Sequence, residues 1–299
     1  MQKPTHLKKG DKVMIVSTAR MISEEEIRPA VEVLNKWGLI VVLGENLFKE
    51  SHQFSGTTEQ RVNDLQKALD DEMTKAVFCA RGGYGTVKII DELDFSRFIK
   101  YPKWIVGYSD VTVLHNHINQ NFNIQTLHAT MPVNFLTNTT ESLESLQNAL
   151  FANEISYDFE VHQLNQKGSA ENVLVGGNLS IIYSLTGTKS QINTKDKILF
   201  LEDLDEYLYH VDRMIMNLKR AGILDNLAGL IVGGMSDMND NDIPYGKTAN
   251  EIILDAVKEY DYPICFDFPA GHIDDNSAIV MGANVKLVVG ENCSLKFSS

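Results

Sequence analysis

The run AVFCARGGYGTVKIIDELDFSRFIKYPKWIVGYSDVTVLHNHINQ (76–120) decides the architecture. AVFCA (76–80) and WIVGY (104–108) are short apolar runs bounded by turn-forming or polar residues, as buried strands are. VKIIDEL (87–93) and VTVLHNHINQ (111–120) follow them with helical character. Strand, helix, strand, helix in that order implies parallel βαβ units with helices packed on the sheet. Upstream, DKVMIVSTA (11–19) and LIVVLG (39–44) read as two more strands. Ser23 with Glu26 and Thr57 with Gln60 have capping-box spacing, each opening a helix.

Downstream, LTNTTESLESLQNALFANEISYD (136–158) breaks the rhythm, polar at first and then weakly helical. VLVGG (173–177), ILFLED (198–203) and GLIVGG (229–234) read as strands, and YLYHVDRMIMNLKRAG (207–222) as a long helix ending at Gly222. The remainder, from Pro263, carries several short strands with turn signals between them. The expected fold is α/β. An N-terminal lobe, 1–135, holds a parallel sheet flanked by helices. A connection, 136–165, leads to a mixed α/β C-terminal lobe, 166–299, rich in short strands.

Composition narrows the function. A formal net charge of -13 with no offsetting basic patch speaks against nucleic acid or an anionic membrane surface as partner. The three cysteines, Cys79, Cys265 and Cys293, are far apart and form neither a disulfide framework nor a CxxC metal motif. Basic residues in MQKPTHLKKGDKV (1–13) are not followed by an apolar segment, and no apolar run approaches the ~20 residues that span a bilayer. A cytoplasmic protein without a membrane partner is therefore expected.

Ser109, in W-I-V-G-Y-S-D-V-T, stands where an apolar strand meets a helix. A tight turn there holds a hydroxyl out of the sheet, with the following backbone N–H groups facing the place where an oxyanion would form. Val111 stands where the elbow motif G-x-S-x-G has its second glycine, so a serine that merely caps the next helix is the competing interpretation. A-R-G-G-Y-G (80–85) follows the preceding strand. It lacks full G-x-G-x-x-G spacing and does not follow the first strand, which disfavours a dinucleotide loop and favours a second set of N–H donors. A serine needs a base, and the base needs an orienting group. His115 and His117 lie on a predicted helix and face different ways, whereas His272 lies in the loop F-P-A-G-H-I-D-D-N (268–276). Glu202 and Asp203 end an apolar strand; alternation puts one of them on the serine side, and spacing does not choose between them.

Six marks in order, A-R-G-G-Y-G (80–85), G-Y-S-D (107–110), G-G-N-L (176–179), L-E-D (201–203), H-V-D-R (210–213) and P-A-G-H (269–272), resemble the LD-carboxypeptidase family, which includes the microcin C immunity peptidases. The resemblance covers nearly the whole chain. It implies a Ser–Glu–His triad of Ser109, Glu202 and His272, with an oxyanion hole from the backbone N–H groups of Gly83 and Asp110, Gly82 being the alternative donor. It implies an active site between the lobes, no metal or other cofactor, and a homodimer. The implied reaction releases a terminal D-alanine from an L,D bond of a murein tetrapeptide in cell-wall peptide recycling. A carboxypeptidase must also hold a free carboxylate; Arg81 and Arg213 are the cationic candidates, and Gly82 and Asn178 are further candidate substrate contacts. Two alternatives remain at this point. One is a microcin-C-type hydrolase of aminoacyl nucleotide analogues, for which Tyr207, Tyr209 and Tyr245 are the candidate stacking surfaces. The other is a two-lobed ligand-binding protein without catalysis.

Overall fold

A computed structural model describes residues 1–151 and 154–298. Ala152 and Asn153, within the expected connection, and Ser299 lie outside the described residues. In chain order the elements are β1 (Lys12–Val16), α1 (Glu24–Lys36), β2 (Ile40–Leu43), α2 (Thr58–Asp70), β3 (Thr74–Cys79), α3 (Ser96–Lys100), β4 (Trp104–Gly107), α4 (Thr112–Phe122), β5 (Thr126–His128) and α5 (Thr140–Leu150). Then come β6 (Ser156–Phe159), β7 (Gly168–Asn178), α6 (Leu179–Ser184), β8 (Ile198–Leu204), α7 (Leu208–Arg220), β9 (Gly229–Ser236), α8 (Ala249–Val257), β10 (Ile264–Cys265), β11 (Ile279–Met281), β12 (Asn284–Val289) and β13 (Cys293–Phe297).

Two sheets form two lobes, as the strand–helix alternation implies. The first has the order β11-β5-β4-β3-β1-β2. Its five N-terminal strands pair in parallel, and β11 joins antiparallel to β5 from the far end of the chain. The second has the order β10-β9-β8-β7-β12-β13-β6. Strands β7 to β10 are parallel there, and β12, β13 and β6 extend the sheet antiparallel. Both expected capping boxes are present: Ser23 and Thr57 accept from the N–H groups of Glu26 and Gln60, whose side chains accept from the cap N–H groups in return. Such caps contribute about 1 kcal/mol each.

The expected helix over 87–93 is instead two short 3₁₀ turns, Thr86–Lys88 and Ile90–Glu92. Val87, Ile89 and Ile90 are β-branched and crowd an α-helical turn. Moreover, the Thr86 N–H is held by the Asp110 carboxylate at 2.8 Å, which fixes the start of the segment. The connection contains α5 and the edge strand β6. No helix among the described residues is long and apolar enough to cross a membrane.

The parallel strands of the first sheet run in the order β2-β1-β3-β4-β5, so the winding reverses between β1 and β3. Open parallel sheets bind ligands outside the carboxyl ends of their strands at such a reversal, where the connecting loops diverge. The loops after β1, β3 and β4 all open there.

Candidate active site

Ser109 follows β4 after one intervening residue, Tyr108, and has φ 63°, a left-handed conformation that costs a non-glycine residue energy and recurs at functional turns. Its hydroxyl caps no helix. Tyr108 occupies the cap position of the 3₁₀ turn Ser109–Val111, Val111 that of α4, and neither end has a side-chain cap. Val111 is itself right-handed (φ −66°) and buried, so this turn does not need the elbow motif's second glycine. The Asp110 carboxylate turns to the Thr86 N–H, and burial pushes its pKa up. Only the backbone of Asp110 is then left to serve an oxyanion.

His272 comes from the loop between β10 and β11. Its Nδ1 lies 2.7 Å from Glu202 Oε2. Glu202 is fully buried and His272 nearly so, with 12% of its side chain exposed. A Cβ on Gly271 would lie 2.7 Å from Glu202 Oε2, so a glycine is required for the carboxylate to reach the ring. The loop is clamped from the start of α5: the Thr139 N–H donates to the Asp274 carbonyl at 2.9 Å, and Asn138 Nδ2 to those of Ile273 and Asp274 at 3.1 and 2.8 Å. The Tyr108 ring packs edge-on against His272, 4.8 Å between centroids.

Alternation along β8 separates the two neighbouring carboxylates. Asp203 faces α6, accepting from Asn178 Nδ2 at 2.9 Å and from the Ser180 N–H at 2.8 Å. Burial, and then the adjacent Glu202 charge, push Asp203 up to about 7. For Glu202, burial alone would act in the same direction, but the His272 charge and hydrogen bond prevail and hold its pKa down. Burial would lower His272, yet the Glu202 charge and hydrogen bond prevail and raise it. The two form a charge-assisted pair in which the outward Nε2 is the ring nitrogen left for chemistry.

Ser109, Asp110, Arg81, Gly82, Gly83, Asn178 and His272 line one cavity of about 530 Å³, with Glu202 behind His272. The structure thus brings together eight of the residues singled out in the sequence. Their surroundings differ, however. Arg81 is ion-paired with Glu26 at 3.1 Å. Both side-chain ends of Asn178 are occupied, Oδ1 capping α6 and Nδ2 on Asp203. Arg213 does not line the cavity; its guanidinium lies over the Tyr209 ring at 5.2 Å. His115 is buried with Nε2 2.8 Å from the Gly107 carbonyl oxygen, under the elbow rather than in the cavity. The three cysteines are buried, and burial pushes the Cys79 thiol up to about 12. Sequence reasoning missed Arg20, Tyr108, Asp205 and Glu206, which also line the cavity. Arg20 and Asp205 follow β1 and β8 at their carboxyl ends, the signal that could have found them.

Two family models match the chain: one described as the LD-carboxypeptidase N-terminal domain over residues 13–129, the other as the LD-carboxypeptidase C-terminal domain over residues 171–287. A Bacillus subtilis protein named a probable murein peptide carboxypeptidase is 33% identical, the match covering 98% of this chain and 93% of that one. A crystal structure of muramoyltetrapeptide carboxypeptidase from Oxalobacter formigenes superposes with a TM-score of 0.87 at 24% identity, over 96% of this chain and 99% of that one. Microcin C7 self-immunity protein MccF, solved in complex with glutamyl sulfamoyl guanosine, superposes with a TM-score of 0.88 at 18% identity, over 100% and 98% of the two chains. These last two likenesses concern the fold.

Proposed function

The chain belongs to the LD-carboxypeptidase family of serine-type peptidases, and we propose that it releases a terminal D-alanine from the L,D bond of a murein tetrapeptide. The observation that carries the proposal is the buried Glu202–His272 pair presenting its free ring nitrogen to the cavity that Ser109 lines. His272 Nε2 takes the Ser109 proton as Oγ attacks the scissile carbonyl carbon. The carbonyl π electrons move to oxygen, and the backbone N–H groups of Gly83 and Asp110 hold the oxyanion. Gly82 and Gly83 N–H groups make no hydrogen bond among the described residues, so a donor is available on that side. One such donor is worth about 2.7–4 kcal/mol of barrier. Collapse of the tetrahedral adduct breaks the C–N bond, and protonated His272 gives its proton to the leaving amine. Water, deprotonated by the same nitrogen, then cleaves the acyl–Ser109 ester. Glu202 stays ionised throughout, fixing the tautomer and stabilising the imidazolium.

A nucleotide-bearing substrate would want an aromatic platform for its base. Trp104 is fully buried and Trp37 packs on Phe135 and Phe151, which leaves the three tyrosine candidates Tyr207, Tyr209 and Tyr245, all exposed. Incubation with a murein tetrapeptide is expected to release free D-alanine. No release by folded protein, with turnover of an aminoacyl-sulfamoyl nucleoside instead, would replace the murein assignment. Two accompanying proposals, a homodimer and a cytoplasmic location, are checked by sedimentation and by fractionation.

A further inference from the structure

A peptidase that removes one terminal residue must hold that residue's carboxylate a short distance beyond the scissile bond. Two guanidinium groups line the cavity, those of Arg20 and Arg81. Arg81 already carries the Glu26 carboxylate. Among the described residues the Arg20 side chain has neither an ion pair nor a hydrogen bond. The lining also bears Asp205 and Glu206, the latter paired with His210, and neither carboxylate would attract a substrate carboxylate.

Arg20 is placed with care. It follows β1 at the point where the sheet order reverses. Its backbone is pinned on both sides: its N–H donates to the Gly82 carbonyl at 3.4 Å, and its carbonyl accepts from Ser17 Oγ at 2.9 Å. Its stem lies across Gly83, where an added Cβ would meet Arg20 Cδ at 2.6 Å and Nε at 2.8 Å. Gly83 has φ 108°, so a glycine is required there both for the turn and for the arginine above it. On the neighbouring residue, a Cβ on Gly82 would lie 3.0 Å from Ser109 Oγ. Adjacent Cα atoms are about 3.8 Å apart. The serine and the guanidinium therefore flank one two-residue strip of backbone. The leaving residue puts its carboxylate carbon about one such Cα spacing from the scissile carbon, within reach of a long arginine.

We infer that Arg20 binds the terminal carboxylate of the substrate and so makes the site a carboxypeptidase rather than an endopeptidase site. The inference rests on the peptidase activity proposed above. A guanidinium presents a planar pair of N–H donors to the two carboxylate oxygens, and the match is lost when the carboxylate becomes an amide.

The test compares a tetrapeptide bearing a free terminal carboxylate with the same peptide as its C-terminal carboxamide. Wild type is expected to favour the acid in kcat/KM by roughly 10- to 100-fold, the range of a charge-assisted hydrogen bond. In Arg20→Gln that preference is expected to collapse towards one, mainly through KM. Arg20→Lys, which keeps the charge but not the fork, is expected to retain part of it. An undiminished acid preference in Arg20→Gln overturns the inference. Equal loss on both peptides also overturns it, because Arg20 would then serve only to shape the Gly83 loop. If folded wild type cleaves neither peptide, the peptidase proposal itself has failed and the Arg20 assignment falls with it.

Discussion

Replacing Glu202 with glutamine keeps the shape of the buried acceptor and removes its charge. The magnitude follows from the geometry. Oε2 and Nδ1 are 2.7 Å apart, and neither group has much access to water. Charge centres roughly 4 Å apart at an effective dielectric of about 20 attract by about 4 kcal/mol. The amide still hydrogen-bonds to the ring, so about 2–4 kcal/mol of imidazolium stabilisation is expected to vanish from the transition state, a loss of roughly 30- to 1,000-fold in kcat/KM. The pH profile must move as well. Burial alone lowers His272, and Glu202 raises it above its usual 6.5. A general base works only when unprotonated, so the acid limb in wild type lies above 6.5. Without the Glu202 charge, burial is opposed by the weaker pull of Asp203 and the limb moves down. The assay is D-alanine release from the tetrapeptide from pH 5 to 9, with folding monitored at each pH. A limb that stays in place, together with a rate loss under about tenfold, would refute the argument that Glu202 acts electrostatically through His272.

The same pair couples charge to stability. His272, with its raised pKa, contributes stability that is complete below 6.5 and is lost as pH rises through its higher folded value. Glu202, with its lowered pKa, contributes stability present above 4.5 and lost as pH falls through its folded value. The Tm difference between wild type and Glu202→Gln is therefore expected to be largest between those two pH values, as scanning calorimetry would measure. Ser109→Ala is expected to lower kcat by about 10⁴-fold or more with Tm nearly unchanged, since the hydroxyl caps no helix; substantial remaining turnover would remove Ser109 from the mechanism. Gly82→Ala places a Cβ 2.9 Å from Ser109 Cβ and 3.3 Å from Met131 Cε, so the nucleophile must shift, and kcat is expected to fall roughly 100-fold. Lys103 is buried and donates Nζ to the carbonyls of Ala68, Leu69 and Asp71 at the end of α2. Lys103→Met leaves those acceptors unpaired, and a loss of about 2–4 kcal/mol is expected in denaturant titration, with kcat preserved while the protein stays folded.

The fold class was legible because strand and helix periodicities are local, and the capping boxes Ser23/Glu26 and Thr57/Gln60 are three-residue patterns that need no tertiary information. Segment 87–93 was not legible: β-branched crowding and a tether from Asp110, 24 residues away, override its helical pattern. Of the site, the sequence by itself determined which residue types stand at the strand ends, and the order of its motifs picked Ser109, Glu202 and His272. It could not choose between Glu202 and Asp203 from spacing, because adjacent strand residues point to opposite faces and only the assembled sheet says which face meets His272. Nor could it tell a free arginine from a paired one. Arg81 stands in the most conspicuous motif yet carries Glu26, while Arg20 stands in an unremarked loop and faces the cavity without a partner among the described residues. Ion pairing depends on distances across the fold, and those exist only once β1 and β3 lie side by side.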